Sequence, residues 1–263
     1  MSTPQRISLE THGHILLMGI NRPEKMNAFD SQMLAELAKA YTQLEDEPNL
    51  RCGILFAHGD HFTAGLDLGE VAPHIMAGNS IVPEGLIDPW GVHSDKERSK
   101  PLIIAVHGKC LTLGIELSLA ADIVIAAENT TFGQIEVKRG IFPFGGATLR
   151  LPERVGWGNA MRYLLTGDEF DAKTAYRIGL VQEITPLGGQ LDKALLIANA
   201  IANQAPLGVQ ATIKSARKAY AQRLPEGTSS YLMGELDKLM KSKDAQEGMA
   251  SFMERRKANF TGE

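Results

Sequence analysis

The chain has 263 residues, of which 44% are hydrophobic and 22% are charged, and its formal net charge is −4. This composition is typical of a globular protein that can bury a full core, and it excludes a disordered chain. The longest apolar runs, such as residues 102–106, are far shorter than the ~20 residues that cross a bilayer. We therefore expect no membrane partner. Because residues 1–20 lack a leader pattern, we also expect a cytoplasmic protein.

The cysteines and histidines give little support for a metal site. Cys52 and Cys110 lie in apolar segments without CxxC spacing, which predicts buried free thiols. The paired histidines are His12 with His14 and His58 with His61. Either pair could chelate a metal, but their places at a strand edge and in a turn favour surface histidines. We predict no metal site.

Strand and helix patterns alternate along the first 185 residues. Apolar strand-like runs occur at 14–20, 51–57, 102–107, 122–127 and near 180–184. Residues 30–46 carry apolar side chains at helical spacing, and further helices are predicted from about 114 and about 145. This alternation indicates an α/β fold. The segment 72–100 contains three prolines and is predicted to be a long functional loop.

The last quarter of the chain has helical spacing without strands. Helices are predicted at 188–204, 206–222, 226–242 and 244–257. Their apolar stripes fit packing either on the body of the protein or on another subunit. Residues 206–263 hold ten Lys and Arg against seven Asp and Glu. The cluster at 254–257 could meet a phosphorylated ligand or nucleic acid, or it could be a solvated helix end.

Two glutamates stand just inside predicted helix starts. Glu116 lies in the segment 113–121, which is apolar on most faces, and Glu136 follows the turn at 132–135. An ionised carboxylate in a buried helix loses several kcal/mol of hydration, or its pKa rises. Each glutamate alone fits a helix start stabilised by the helix dipole, although neither has the spacing of a capping box. Together they favour acid–base chemistry.

Two strand-to-helix turns precede these glutamates in the sequence. One covers residues 58–68 and the other covers residues 108–114, and both contain glycines. N–H groups at a helix start have no internal partner, so two adjacent turns can offer a pair of donors to a developing negative oxygen. Either turn alone is a plain connection. The oxyanion hypothesis depends on both turns occurring with both glutamates.

Several motifs occur in a fixed order along nearly the whole chain. They are residues 21–28 (NRPEKMNA), 62–68 (FTAGLDL), 114–117 (GIEL), 121–123 (ADI), 132–136 (FGQIE) and 145–146 (GG). In this order and spacing they resemble the signatures of the crotonase, or enoyl-CoA hydratase, superfamily. The resemblance implies a spiral of ββα units as a catalytic core at 1–204 and a helical trimerisation region at 205–263. It also implies a homotrimer or homohexamer that binds an acyl-CoA thioester without metal or redox cofactor.

The resemblance assigns roles to individual positions. The main-chain N–H groups of Leu66 and Leu113 would bind the thioester oxygen. Glu116 would orient and activate water, and Glu136 would transfer a proton. The other positions that it implies for substrate binding are Lys25, Met26, Ala28, Ala64, Gly65, Asp67, Leu68, Gly114, Lys257 and Phe260. The predicted reaction is the hydration of a 2-enoyl-CoA to the 3-hydroxyacyl-CoA.

Some residues depart from the usual family pattern and keep alternatives open. The sequence has Thr-Leu-Gly at 112–114 instead of three glycines, which makes the pocket wall bulkier. The motif at 64–68 looks like that of a double-bond isomerase, for which Glu136 alone would suffice. Phe144 stands where dienoyl-CoA isomerases and aroyl-CoA dehalogenases place an aspartate, which speaks against both. An RNA-binding member is a remote alternative, since the chain is acidic and lacks an aromatic-basic stripe.

Overall fold

A computed structural model describes residues 4–77, 79–92, 96–222, 238 and 241–263. The strands are β1 (Ile7–His12), β2 (Ile15–Ile20), β3 (Cys52–Ala57), β4 (Leu102–Val106), β5 (Lys109–Leu111), β6 (Ile123–Ala127), β7 (Thr131–Gly133), β8 (Glu169–Asp171) and β9 (Glu183–Thr185). Six of them form one sheet in the order β1-β2-β3-β4-β6-β9, and a smaller sheet has the order β5-β7-β8. In the large sheet β1 and β2 are antiparallel, and all later pairs are parallel.

Helices connect and cover these strands. They are α1 (Ser31–Asp46), α2 (Leu68–Met76), α3 (Leu113–Ala120), α4 (Ala147–Val155), α5 (Trp157–Thr166), α6 (Ala172–Arg177), α7 (Gln190–Ala202), α8 (Pro206–Gln222) and α9 (Lys243–Glu254). Two short 3₁₀ helices span Pro23–Lys25 and Glu136–Arg139. Within the described ranges, none of the helices is both long enough and apolar enough to span a membrane.

The main sheet is buried on both faces. Every residue of β2 and β4 is buried, as expected for parallel strands that helices cover from both sides. On one face, α7 packs the small side chains of Ala194, Ala198 and Ala202 against the sheet. The other face carries the larger core, which includes α1 and α3. The α/β fold class is confirmed.

Helix α1 is buried on one face only, whereas α3 is buried on all sides. The carboxylate of Asp30 accepts a hydrogen bond from Met33 N at 2.8 Å and caps the start of α1, whose apolar stripe faces the core. Helix α3 has no polar face, and its residues 113–119 are all buried. A short helix that is apolar on all sides must lie inside the molecule, so α3 carries Glu116 into the interior.

Most long elements agree with the sequence predictions. The predicted strands at 14–20, 51–57, 102–107 and 122–127 match β2, β3, β4 and β6. The strand predicted near 180–184 is β9, which begins only at Glu183. Part of the predicted loop at 72–100 belongs to α2, which includes Pro73. The helix predicted at 226–242 lies outside the described residues, except for 238 and 241–242.

The predicted boundary between 204 and 205 falls in the short connection from α7 to α8. Asp122 links α8 to the core, because it accepts hydrogen bonds from Arg98 Nη1 and from Arg217 Nη2, each at 2.9 Å. At the chain end, Asp244 accepts hydrogen bonds from the N–H groups of Thr261 and Gly262. The first contact holds the C-terminal region to the core, and the second ties the chain end to the start of α9.

Candidate active site

The turns that follow β3 and β5 lie side by side. Thr63 N donates to Lys109 O at 2.9 Å, and Leu111 N donates to Thr63 O at 3.0 Å. This parallel bridge brings the residues that come next in each turn to the wall of one cavity of about 230 Å³. Leu66 comes from the first turn and Leu113 from the second, and both line this cavity.

The main-chain N–H groups of Leu66 and Leu113 have no acceptor within the described residues. On either side of Leu66, Phe29 N donates to Gly65 O at 2.8 Å and Asp67 N donates to Phe29 O at 2.9 Å. Leu66 itself is left out of this pairing. Leu113 is the first residue of α3, where an N–H group has no partner in the preceding turn. Both groups are therefore available to a ligand.

Thr112 stands between these donors in an unusual backbone conformation. Its φ is 48° and its ψ is −114°, a region that glycine enters easily and a β-branched residue rarely adopts. Such strain costs on the order of 1–3 kcal/mol and is typical of functional sites. Thr112 lines the cavity, so the departure from three glycines makes the wall bulkier, as expected.

Glu116 lies in the first turn of α3 with only 4% of its surface exposed. Its Oε1 atom accepts hydrogen bonds from Gly145 N at 2.8 Å and from Ala147 N at 3.2 Å. Burial raises the pKa of Glu116, while these two amides and the charge of Arg150 lower it in part. The two amides fix the orientation of the carboxylate at the cavity wall.

Glu136 is the first residue of the second 3₁₀ helix and is also buried. Burial raises the pKa of Glu136 to about 7; its own amide opposes this rise, and the charge of Glu116 adds to it. Its Oε2 atom is buried without a hydrogen-bond partner in the described part of the chain, and such an atom calls for a ligand or water. Near neutral pH, one carboxyl group of this pair can hold a proton.

The rest of the cavity wall is mainly apolar. Its apolar side chains are Leu34, Leu68, Ile81, Trp90, Ile135, Ile141 and Phe144. Trp90 comes from the segment predicted to be a functional loop, and its Nε1 donates to Leu113 O at 3.3 Å. Trp90 therefore both lines the cavity and supports the start of α3.

Several predicted substrate-binding positions lie at or next to the cavity. Ala64 and Leu68 line it. Gly65 and Gly114 pack behind the wall, where an added side chain would collide with Thr112 and with Thr63 respectively.

Asp67 does not line the cavity. Its carboxylate accepts a hydrogen bond from Arg22 Nη1 at 2.9 Å, and Arg22 also donates to Ala28 O. Met26 is 40% exposed, and its carbonyl accepts the N–H of Ala64 at 2.9 Å. Lys25, the last residue of the first 3₁₀ helix, precedes Met26 and is also exposed. These residues therefore belong to the 64–68 turn or lie next to it.

The structure does not bring Lys257 and Phe260 to the cavity of their own chain. Lys257 Nζ donates to Asn203 Oδ1 at 3.3 Å, after the end of α7. Arg51 Nη2 donates to Phe260 O at 2.8 Å. Arg51 precedes β3, whereas the oxyanion turn follows β3, so the tail lies at the opposite end of the sheet. Their predicted reach to a bound nucleotide stays a prediction.

Sequence reasoning missed Arg139, which lines the cavity. It follows Glu136 by three residues, one turn of the 3₁₀ helix, and this spacing was the available signal. The amides of Gly145 and Ala147 were missed as partners of Glu116, because they depend on a tertiary contact. Both cysteines are buried free thiols, as predicted. No group of three or more metal-ligating side chains occurs among the described residues.

One mainly apolar cavity thus contains two main-chain donors that lack an acceptor in the described part of the chain, together with two buried carboxyl groups. This combination defines a class of enzyme. Such an enzyme polarises a carbonyl group and moves a proton on a neighbouring carbon atom.

Comparisons with known proteins narrow this class. A family model described as enoyl-CoA hydratase/isomerase matches residues 10–263. The enoyl-CoA hydratase EchA19 of Mycobacterium tuberculosis is 34% identical, with 96% of this chain and 95% of the relative covered. The crotonyl-CoA hydratase of Syntrophomonas wolfei is 34% identical, over 97% of this chain and 98% of the relative. The crystal structure of a probable enoyl-CoA hydratase/isomerase from Mycobacterium abscessus has a TM-score of 0.94 at 52% identity, covering 98% and 99% of the two chains.

The chain therefore belongs to the enoyl-CoA hydratase/isomerase family, and its fold is the crotonase fold. The family, the fold class and the kind of enzyme predicted from the sequence are confirmed.

Proposed function

We propose that this enzyme adds water to 2-enoyl-CoA thioesters and forms the 3-hydroxyacyl-CoA. The observation that carries the proposal is that Glu116, Glu136 and the unpaired N–H groups of Leu66 and Leu113 belong to one cavity. The relatives named as hydratases support the same reaction.

In this mechanism the thioester carbonyl oxygen accepts hydrogen bonds from Leu66 N and Leu113 N. These two donors stabilise the negative charge that develops on the oxygen when the double bond is attacked. They polarise the conjugated enoyl thioester, so that C3 becomes electrophilic and water can attack it. Because the donors belong to the main chain, the side chains at these positions only shape the acyl pocket.

The two carboxyl groups divide the proton chemistry. Gly145 N and Ala147 N hold Glu116 in one orientation, which suits a group that positions water and activates it for attack on C3. The pKa of Glu136 at about 7 leaves a large protonated fraction near neutral pH, and this proton is delivered to C2. The charge of Glu116 contributes to the pKa of Glu136, so the two groups titrate as a pair.

A double-bond isomerase is the second candidate. An isomerase needs one acid to move a proton between two carbon atoms, and the unpartnered Oε2 of Glu136 suits that task. Hydration is favoured because Glu116 is held at the same cavity by two dedicated amides. An isomerase would leave this second buried carboxylate without use.

The test is turnover of a series of 2-enoyl-CoA thioesters by the wild type and by Glu116→Gln and Glu136→Gln. We expect hydration to fall by roughly 10²–10⁴-fold in each variant. Glu153→Gln is the matched control, because Glu153 is exposed on α4 and does not line the cavity. If both variants kept the hydration activity of the wild type, the proposal would be contradicted. Isomerisation of 3-enoyl-CoA that survives in Glu116→Gln, without hydration by the wild type, would establish the isomerase.

RNA binding is tested in the same preparation. Salt-dependent binding of RNA without turnover of crotonyl-CoA would replace the enzymatic proposal with the RNA-binding alternative. The acidic net charge leads us to expect no such binding.

The proposal includes a homotrimer or homohexamer in the cytoplasm that works without cofactor. Large apolar side chains that stay exposed on the chain support assembly. They include Leu149, Trp157, Leu165, Leu196 and Met253. Light scattering that gives the mass of one chain would contradict the assembly, and loss of activity in a metal chelator would contradict the absence of a cofactor. A fluorescent fusion tests the location.

A further inference from the structure

Arg139 is the one cationic residue among the described residues that line the cavity. It ends the 3₁₀ helix that begins with Glu136 and is exposed to solvent. The other two charged side chains that line the cavity, Glu116 and Glu136, already have a role in the proposed proton transfer. Arg139 therefore needs an explanation of its own.

The guanidinium of Arg139 has no hydrogen bond or ion pair within the described ranges of the chain. Other arginines near the site are bonded. Arg150 donates to Trp90 O at 2.6 Å and to Gly91 O at 3.0 Å, and Arg22 is paired with Asp67 at 2.9 Å. Those two arginines hold loops in place, whereas Arg139 makes no such contact with the residues that the structure describes. Its charge is free for a ligand in the cavity.

The surroundings of Arg139 define the chemistry of that ligand. Ile135, Ile141 and Phe144 share the cavity wall with Arg139, so an acyl chain bound along this wall would meet apolar side chains and, among the described residues, a single positive group. A guanidinium binds a carboxylate through two parallel hydrogen bonds. An acyl chain that is apolar in its middle and carries a carboxylate at its end matches this wall.

We propose that the enzyme prefers 2-enoyl-CoA thioesters whose acyl chain ends in a second carboxylate, and that Arg139 binds this carboxylate. This inference rests on the proposed hydration at the same cavity. A phosphate of CoA is the other anion in such a substrate. We assign Arg139 to the acyl end, because the CoA portion is expected beside Met26 and the 64–68 turn, where Lys25 is exposed.

The test compares two thioesters of equal chain length, 2-hexenedioyl-CoA and 2-hexenoyl-CoA, which differ in a terminal carboxylate against a methyl group. We expect the wild type to show the higher kcat/KM for the diacid. Arg139→Met should lower kcat/KM for the diacid by roughly 10–100-fold, as expected for a charge-assisted hydrogen bond. The same variant should leave 2-hexenoyl-CoA within about threefold of the wild type.

Lys138→Met is the matched control, because Lys138 is the exposed neighbouring cation and does not line the cavity. It should change neither substrate. Equal losses on both thioesters in Arg139→Met would assign Arg139 to a CoA phosphate and overturn the proposal. Equal turnover of both thioesters by the wild type would also overturn it, while leaving the hydratase function intact.

A binding measurement separates failure of this inference from failure of the proposed reaction. Calorimetry with the saturated adipyl-CoA and hexanoyl-CoA needs no turnover. Tighter binding of adipyl-CoA that is lost in Arg139→Met would support the carboxylate site even if hydration failed. Equal affinities of the wild type for the two thioesters would overturn the carboxylate site.

Discussion

Gly65 and Thr112 are in direct contact across the two oxyanion turns. Any side chain on Gly65 would collide with the hydroxyl oxygen of Thr112, and Gly65 also has a φ of 105°, which only glycine adopts without strain. Thr112 has a positive φ of its own. The distance between the two donor turns is thus set by a glycine on one side and a strained threonine on the other.

We predict that Gly65→Ala lowers kcat for hydration by at least about tenfold, because the new methyl group pushes the Leu66 and Leu113 turns apart. The double variant with Thr112→Gly should recover part of the activity, since the colliding hydroxyl is gone while the strain at residue 65 remains. Steady-state kinetics with crotonyl-CoA checks this. Additive losses in the double variant would show that the contact has no role.

The donor at Leu113 can be removed without removing the helix. Proline is tolerated at the first position of a helix, where its missing N–H breaks no internal hydrogen bond. We predict that Leu113→Pro lowers kcat by about 10²–10³-fold, the usual effect of losing one oxyanion donor. Leu113→Ala keeps the N–H and should lose much less. Equal kcat values in the two variants, with both proteins folded by circular dichroism, would speak against this donor.

The pH dependence of hydration should follow Glu136. In our mechanism the protonated carboxyl group supplies the proton to C2, and its pKa is raised to about 7. We therefore expect kcat/KM for hydration to fall as the pH rises above about 7, by up to tenfold per unit. A rate that is constant from pH 6 to pH 9 would contradict the assignment of Glu136 as the acid.

The same carboxyl group should affect stability. Its pKa is near 4.5 when unfolded and about 7 when folded, so the folded protein holds this proton more tightly. Its stabilising contribution is full below pH 4.5 and is lost as the pH rises toward 7. Relative to the wild type, Glu136→Gln should gain stability over this range and level off above pH 7 at about 3 kcal/mol. Urea unfolding at several pH values measures the difference, and a pH-independent difference would refute it.

Asp122 should be important for holding α8 to the core. Burial would raise the pKa of Asp122, but the charges of Arg98 and Arg217 outweigh this and hold it below its usual value. Asp122→Asn leaves the buried Arg98 without a counter-charge, which should cost about 3 kcal/mol of unfolding free energy. Asp46→Asn is the control, because its ion pair with Lys96 is exposed and should cost under about 1 kcal/mol. Similar losses in both variants would contradict this view.

The parts of the fold that the sequence predicted are those with a strong local pattern. Strands β2 and β4 are continuous apolar runs, and α1 has both an apolar stripe and Asp30 as its cap. Strand β1, most of whose residues are exposed, was missed, and so were the three-residue strands β5, β7 and β8. Each of these three short strands is defined by pairing with a distant segment, such as Lys109 with Thr131, and three residues carry too little periodicity to show this.

The candidate site follows the same rule: residues with a strong local sequence signal could be predicted, and residues whose position depends on distant contacts could not. Burying Glu116 or Glu136 costs so much free energy that their apolar context already indicated chemistry. The tail residues Lys257 and Phe260 were placed by resemblance alone, and their position depends on how the last helix packs. Arg139 was missed because an arginine beside Lys138 looks like an ordinary solvated charge until the cavity is seen.

The use of main-chain N–H groups as oxyanion donors has a consequence for how this scaffold can diversify. Most codon changes at residues 66 and 113 leave the donor in place, since every amino acid except proline supplies the same amide hydrogen. Substitutions can therefore reshape the acyl wall while the machinery that activates the thioester is inherited unchanged. Libraries randomised at these two positions should be rich in active enzymes with altered substrate range.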